Sequence, residues 1–116
     1  MKKLNILITG GAGYIGSHIA EQLVNTKNNI IIIDNLVTGF KRLINKKTKF
    51  FKVDLKNKKL LNKIICENKI DTIIHLAAYL NVSEAENNRK KYYKNNIIGT
   101  KNLLEACKNS NVNNFI

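Results

Sequence analysis

The residues best suited to chemistry stand early in the chain, in the run Thr9-Gly10-Gly11-Ala12-Gly13-Tyr14-Ile15-Gly16. Two glycine spacings overlap there: GxGxxG over Gly11, Gly13 and Gly16, and GxxGxxG over Gly10, Gly13 and Gly16. Glycine permits a sharp turn, and the missing side chain lets the backbone come close to a bulky anion. When a helix starts directly afterwards, its free N–H groups point at that anion, and a pyrophosphate is the group such a turn cradles. Glycines also make ordinary turns, so the context decides. Here the apolar run Leu4 to Ile8 precedes the motif and a helical period follows it. The other common phosphate turn, GxxxxGK[ST], is excluded, because Ser17-His18 stand after Gly16.

The second chemical residue is Asp34, 18 positions beyond Gly16 and directly after the apolar run Ile30 to Ile33. An acid about 20 residues past the glycines meets the adenosine ribose in dinucleotide-binding folds. A carboxylate accepts hydrogen bonds from both ribose hydroxyls and repels a 2′-phosphate. No Lys or Arg follows Asp34 until Lys41, so NAD is favoured over NADP. Alone, an Asp at a strand end often serves only as a cap; after this glycine turn, ribose binding is the better reading.

The elements that must position these residues alternate along the chain. Lys3 to Thr9 reads as a buried strand, and Tyr14 to about Thr26 as a helix with Ile15, Ile19 and Leu23 on one face. Ile30 to Ile33, four β-branched residues in succession, suit a strand covered on both faces. Phe50, Phe51 and Val53 mark a third strand ending at Asp54. Asn57 is placed to cap a helix whose buried face uses Leu60, Leu61, Ile64 and Ile65. Thr72 to Leu76 is a fourth strand. Lys90 to Asn109 reads as one long helix, with Ile97, Leu104 and Cys107 inward, and Asn113 to Ile116 as the opening of a fifth strand. This order predicts an α/β, Rossmann-type doubly wound parallel sheet in the order 3-2-1-4-5, incomplete at its C-terminal end.

Composition narrows the partners. The 116 residues fit one domain, 1–116, and the apolar content of 44% belongs to globular proteins. No apolar run approaches the ~20 residues a membrane-crossing helix needs. The Met1-Lys2-Lys3 start is followed by apolar residues only from Leu4 to Ile8, so the expected address is the cytoplasm. A net charge of +12 raises the question of nucleic acid. However, 18 of the 20 basic residues are Lys, and Lys, Asn and Ile together fill nearly half the chain. An AT-rich coding sequence produces that bias by default, and the lysines are scattered without interleaved aromatics. A solvated basic surface, with no specific nucleic acid partner, is the expectation. Cys66 and Cys107 belong to no CxxC pair and read as buried, reduced thiols. No metal site is expected.

Several segments occur in order and at suitable spacing: TGGAGYIGSH (Thr9 to His18), DNLVTG (Asp34 to Gly39), Asp54-Leu55, HLAA (His75 to Ala78) and YYKNNIIGT (Tyr92 to Thr100). Together they resemble the extended short-chain dehydrogenase/reductases, and among these the UDP-glucose 4-epimerases most closely, over essentially the whole chain. The resemblance implies NAD as cofactor, with backbone at Gly10, Gly13, Tyr14, Ile15 and Gly16 on the pyrophosphate. It places Asp34 and Asn35 at the adenosine ribose and Asp54 and Leu55 at the adenine. Leu76, Ala77 and Ala78 would line the cofactor, and Asn96 would sit near its nicotinamide half. His75 reads as a satisfied core histidine. Some family members carry a cofactor-contacting Lys where this chain has Leu80.

The family's catalytic pair is Tyr-x-x-x-Lys. Four residues after Tyr14, Tyr79, Tyr92 and Tyr93 come His18, Ser83, Asn96 and Ile97, so no such pair exists in these 116 residues. No residue is therefore assigned a catalytic role. The resemblance implies that a complete chain interconverts UDP-galactose and UDP-glucose through a 4-keto sugar, with the UDP-sugar bound by a lobe beyond this segment. A sugar-nucleotide dehydratase or another epimerase shares this half. A non-catalytic dinucleotide-binding module and a truncated gene product are the readings from other classes, and a homodimer is left open.

Overall fold

The computed structural model describes residues 2–79 and 81–116, with Val82 described for its backbone alone. Five parallel strands form one sheet: β1 (Asn5–Thr9), β2 (Asn29–Asp34), β3 (Lys49–Lys52), β4 (Thr72–His75) and β5 (Asn114–Phe115). Their order is β3-β2-β1-β4-β5, the order expected of a Rossmann-type sheet. The register runs Leu7 opposite Ile31 on one side of β1 and Leu7 opposite Ile73 on the other.

The side-chain period of two along a strand explains how a continuous apolar run feeds two cores. Leu7, Ile31, Ile33 and Ile73 face one side and pack with Leu61, Ile64 and Ile65 of α2 (Lys58–Glu67) and Leu103 of α5 (Gly99–Lys108). Ile6, Ile8, Ile30 and Ile32 face the other and pack with Ala20, Ile19 and Leu23, which lie on α1 (Tyr14–Leu23). The N-cap expected at Asn57 is present, its side chain accepting the Leu60 N–H at 3.1 Å.

The helix expected over Lys90 to Asn109 runs without a gap from Arg89 to Lys108, but a π turn interrupts its α-helical course. Short helices α3 (Val82–Asn87) and α4 (Arg89–Tyr92) lead into a π turn, Tyr93–Ile98, which continues as α5. A π turn adds a residue to one helical cycle and so rotates everything after it. The inward face is therefore Asn95, Gly99, Leu103 and Ala106, while Ile97 and Leu104, expected inside, are 55% and 44% exposed. Gly99 is small for a reason: a Cβ there would stand 2.8 Å from that of Leu55. The thiols also differ from expectation. Both are free, but Cys66 is exposed and Cys107 half-buried, burial pushing the Cys107 thiol up.

Pairing on the outer side of β4 reaches the last residue. The Ile116 N–H donates to the Ile73 carbonyl at 2.9 Å, and the His75 N–H donates to the Ile116 carbonyl at 2.8 Å. Among the described residues no helix is long and apolar enough to cross a membrane, and no cluster of metal-ligating side chains occurs.

Candidate dinucleotide site

In this strand order the chain winds outward from β1 in both directions, so the turns after β1 and β4 diverge. The crevice at such a switch point, beyond the carboxyl ends of the strands, is where open α/β sheets place ligands. A groove of about 660 Å³ lies there, walled by the turns that follow β1, β2, β3 and β4.

The β1 turn is built by its glycines, each for a different reason. Gly10 has φ +74°, and a Cβ on it would meet backbone of Leu76 and Ala77 at 2.8–3.0 Å. Gly16 allows α1 to rest on the turn, since a Cβ would fall 2.2 Å from the Gly10 carbonyl oxygen. Gly13 differs. Its φ and ψ, −85° and 177°, suit any residue, and an added Cβ would meet only the Gly10 oxygen, at 3.3 Å. Gly13 is the position where the protein's own packing least requires glycine, and it lines the groove.

Gly13 also caps α1, without a side-chain hydrogen bond and with no acid in the first turn. The first chain-paired N–H after it belongs to Ser17, which donates to the Gly13 carbonyl at 3.0 Å. Tyr14, Ile15 and Gly16 line the groove with helix-terminal N–H groups. Those groups and the missing Cβ fit a pyrophosphate.

Asp34 closes β2 and is 9% exposed. One carboxylate oxygen accepts the Ala12 N–H at 3.0 Å and the other the Leu36 N–H at 2.8 Å. The acid thus ties the glycine turn to the loop after β2, while each oxygen keeps acceptor capacity toward the groove it lines. Among the described residues no cation lies within 4 Å of it, and Arg42 instead stacks on Phe40 with its guanidinium 5.0 Å from the ring centroid. Gly39 backs onto the carboxylate, a Cβ there reaching both oxygens at 3.0 Å. Asn35 accepts the Val37 N–H at 3.0 Å and donates to Asp54 at 3.4 Å.

The turn after β4 is held by a hydrogen-bond chain. Thr9 Oγ1 accepts the N–H groups of Leu76 at 3.0 Å and Ala77 at 3.2 Å. It lies 2.6 Å from His75 Nδ1, while His75 Nε2 lies 2.8 Å from Thr100 Oγ1. Thr100 donates its own hydroxyl to the Asn96 carbonyl at 2.7 Å. The directions follow from the donors available. Thr100, having given its proton away, must accept from Nε2–H, so Nδ1 is bare and accepts from Thr9. That tautomer is neutral, and burial lowers the His75 pKa. His75 is thus satisfied at both nitrogens.

Of the thirteen residues expected from the sequence, eleven line the groove: Gly10, Gly13, Tyr14, Ile15, Gly16, Asp34, Asn35, Leu55, Leu76, Ala77 and Ala78. Asp54 stands behind Asn35. Asn96 does not line the groove, its carboxamide being engaged with the Tyr79 backbone. Its neighbour Asn95, 7% exposed, takes the groove position. Nothing in the sequence distinguishes the two asparagines, because the π turn that sorts them is not a periodic signal. Tyr79 and Thr38 are further lining residues, and only Thr38 lies in a quoted motif. Leu80 lies outside the described residues.

A parallel sheet in this order, with a glycine turn feeding an uncapped helix and an acid closing the second strand around one crevice, defines the mononucleotide-binding half of a doubly wound α/β protein. Residues 6–116 match the NAD dependent epimerase/dehydratase family. The chain belongs to that family. It is 40% identical over 109 residues to the UDP-glucose 4-epimerase of Lactobacillus helveticus, a match covering 94% of this chain and 33% of the relative. With the Haemophilus influenzae enzyme of the same name the identity is 38% over 118 residues, 96% of this chain and 35% of the relative. Among solved structures it resembles the Thermotoga maritima UDP-glucose 4-epimerase with UDP-glucose, at TM-score 0.94 and 32% identity. It also resembles the Thermus thermophilus UDP-glucose 4-epimerase in complex with NAD, at TM-score 0.93 and 35% identity. Each of these two matches covers 97% of this chain and 36% of the other. The chain thus spans about a third of the length of these relatives.

Proposed function

We propose that this chain holds NAD in the groove above its strands, as the N-terminal part of an enzyme that interconverts UDP-galactose and UDP-glucose. The observation that carries the cofactor reading is Gly13: it leaves a helix N-terminus uncapped and open where the groove passes, although its own backbone conformation would suit any residue. The 32–40% identity to UDP-glucose 4-epimerases supports the reaction.

Backbone N–H groups of Tyr14, Ile15 and Gly16 bind the pyrophosphate. Asp34 and Asn35 take the adenosine ribose hydroxyls, and the Asp34 carboxylate disfavours a 2′-phosphate. Leu55, next to Asp54 in the turn after β3, borders the adenine. Leu76, Ala77 and Ala78 give the floor of the groove an apolar surface of low bulk. Asn95 serves the nicotinamide half, with Asn96 behind it. When bound, NAD supplies the hydride acceptor for sugar oxidation. The proton acceptor that must accompany it, a Tyr paired with Lys four residues on, has no counterpart in these 116 residues. By themselves they bind cofactor and do not turn over UDP-galactose. The cytoplasm is the proposed site of action.

Calorimetric titration of the chain with NAD and with NADP, using Asp34→Ala as control, tests this reading. NAD is expected to bind more tightly, and the substitution to narrow the difference. Equal affinity for the two cofactors in the unsubstituted chain sinks the assignment of Asp34.

A further inference from the structure

The pair Asn95-Asn96 sits inside the π turn Tyr93–Ile98. Single π turns inside α-helices are frequent at functional sites. Here the turn brings two successive asparagines inward, Asn95 buried and Asn96 half-buried. The Asn96 carboxamide closes a two-point clamp on Tyr79: its oxygen accepts the Tyr79 N–H at 3.0 Å, and its nitrogen donates to the Tyr79 carbonyl at 3.1 Å. Only one orientation satisfies both bonds, because the flipped amide would set donor against donor and acceptor against acceptor.

That orientation dictates the next one. The Asn96 oxygen also accepts from Asn95 Nδ2, at 2.9 Å, so Asn95 cannot turn its amide over either. The Asn95 oxygen has no partner among the described residues, and it is not a sealed, unsatisfied atom; Asn62 Oδ1 is the atom of that kind. The open space beside Asn95 is the main groove and a smaller recess lined by Lys56, Lys90, Lys91 and Lys94. An amide of fixed orientation, its oxygen without a partner among the described residues, thus borders space a ligand can enter.

We propose that Asn96 is a positioning residue, which sets the path of the groove floor through Tyr79 and compels Asn95 to present its carbonyl oxygen, selecting a hydroxyl or N–H donor on the ligand. The inference rests on the NAD reading above, since a dinucleotide carries such donors on its riboses and its carboxamide. Asn96 itself touches no ligand.

The test is a double-mutant cycle on the full chain, with NAD and ADP as probes in calorimetry. Asn95→Ala and Asn96→Ala are each expected to weaken NAD about tenfold, the worth of one neutral hydrogen bond. The double variant should be no weaker than either single one, because Asn96 acts through Asn95. ADP, held by the glycine turn and Asp34, should bind all variants alike. Losses that multiply toward about a hundredfold in the double variant overturn the proposal. So does a loss confined to Asn95→Ala. A second measurement needs no ligand: amide exchange at Tyr79 should accelerate about tenfold or more in Asn96→Ala and stay near its starting value in Asn95→Ala. Unchanged exchange in Asn96→Ala refutes the clamp. An unsubstituted chain that fails to bind NAD refutes the proposed function instead, and the exchange result still decides the role of Asn96.

Discussion

A methyl group added at Gly16 and one added at Gly13 should do opposite things. At Gly16 the new Cβ would lie 2.2 Å from the Gly10 oxygen and 2.9 Å from both the Gly10 carbonyl carbon and the Gly11 Cα. All three are backbone atoms of a turn already pinned by the Gly13 N–H to Gly10 carbonyl bond of 3.0 Å, so none can swing aside. Overpacking of this kind costs about 1–3 kcal/mol and occasionally more, and a backbone-on-backbone clash belongs at the upper end. At ~4–8 °C per kcal/mol for a domain of this size, Gly16→Ala should melt at least ~12 °C lower. At Gly13 the backbone angles suit alanine, and the nearest atom is 3.3 Å away. Alanine caps helices less well than glycine, by up to ~1 kcal/mol, and the stiffer unfolded chain returns about 0.4–1 kcal/mol. Gly13→Ala should therefore melt within ~4 °C of the starting protein. Its methyl, however, would stand in the groove where the pyrophosphate meets the first-turn N–H groups. Losing two hydrogen bonds to a charged group, about 1.5–3 kcal/mol each, weakens NAD at least ~100-fold. Thermal melts followed by circular dichroism and NAD titrations of both variants decide the matter. A Gly13→Ala protein that binds NAD normally, or a Gly16→Ala protein that melts normally, would refute the division of labour among the glycines.

Other outcomes follow from the same geometry. His75 binds its proton more weakly folded than unfolded, because burial lowers its pKa from 6.5. Its contribution to stability is thus complete above about pH 6.5 and is lost as pH falls through the folded pKa. Urea midpoints at several pH values should show that slope, and His75→Gln should reduce it. Asn57→Ala removes the cap on α2 and should cost about 1 kcal/mol, read as a lower urea midpoint at unchanged slope. Leu61→Ala, at a fully buried position, should cost about 2–5 kcal/mol in the same assay. Binding to random-sequence duplex DNA should be weak and vanish as salt is raised to physiological strength; a complex that survives there would mean that the lysines form a true interface.

How much of this was legible beforehand depends on how local the cause is. Parallel strands followed from alternation, since Ile30 to Ile33 suit a strand covered on both faces and crossovers join the strands, while the order itself came from the glycine turn, which points to the usual order of dinucleotide-binding sheets. The glycine turn was legible because each glycine answers a short-range demand: a positive φ at Gly10, a helix resting on backbone at Gly16. The inward face of the helix near the groove was not, and the reason is physical. Periodicity favoured Ile97 and Leu104 inside, as the larger apolar residues, yet the space beside Leu55 admits only Gly99, and the Tyr79 backbone, 17 residues before Asn96, needs a carboxamide to satisfy it. Both demands come from parts of the chain distant in sequence. The helix meets them by inserting one residue into a turn, which exposes two large apolar side chains and buries an asparagine. Burying a polar side chain at the expense of apolar ones works against folding unless its hydrogen bonds are made. Here Asn96 makes three of its four within the protein, and Asn95 lines the groove. The departure from simple amphipathic packing therefore falls where the structure offers a ligand its most definite polar contact, which is where local rules are expected to yield.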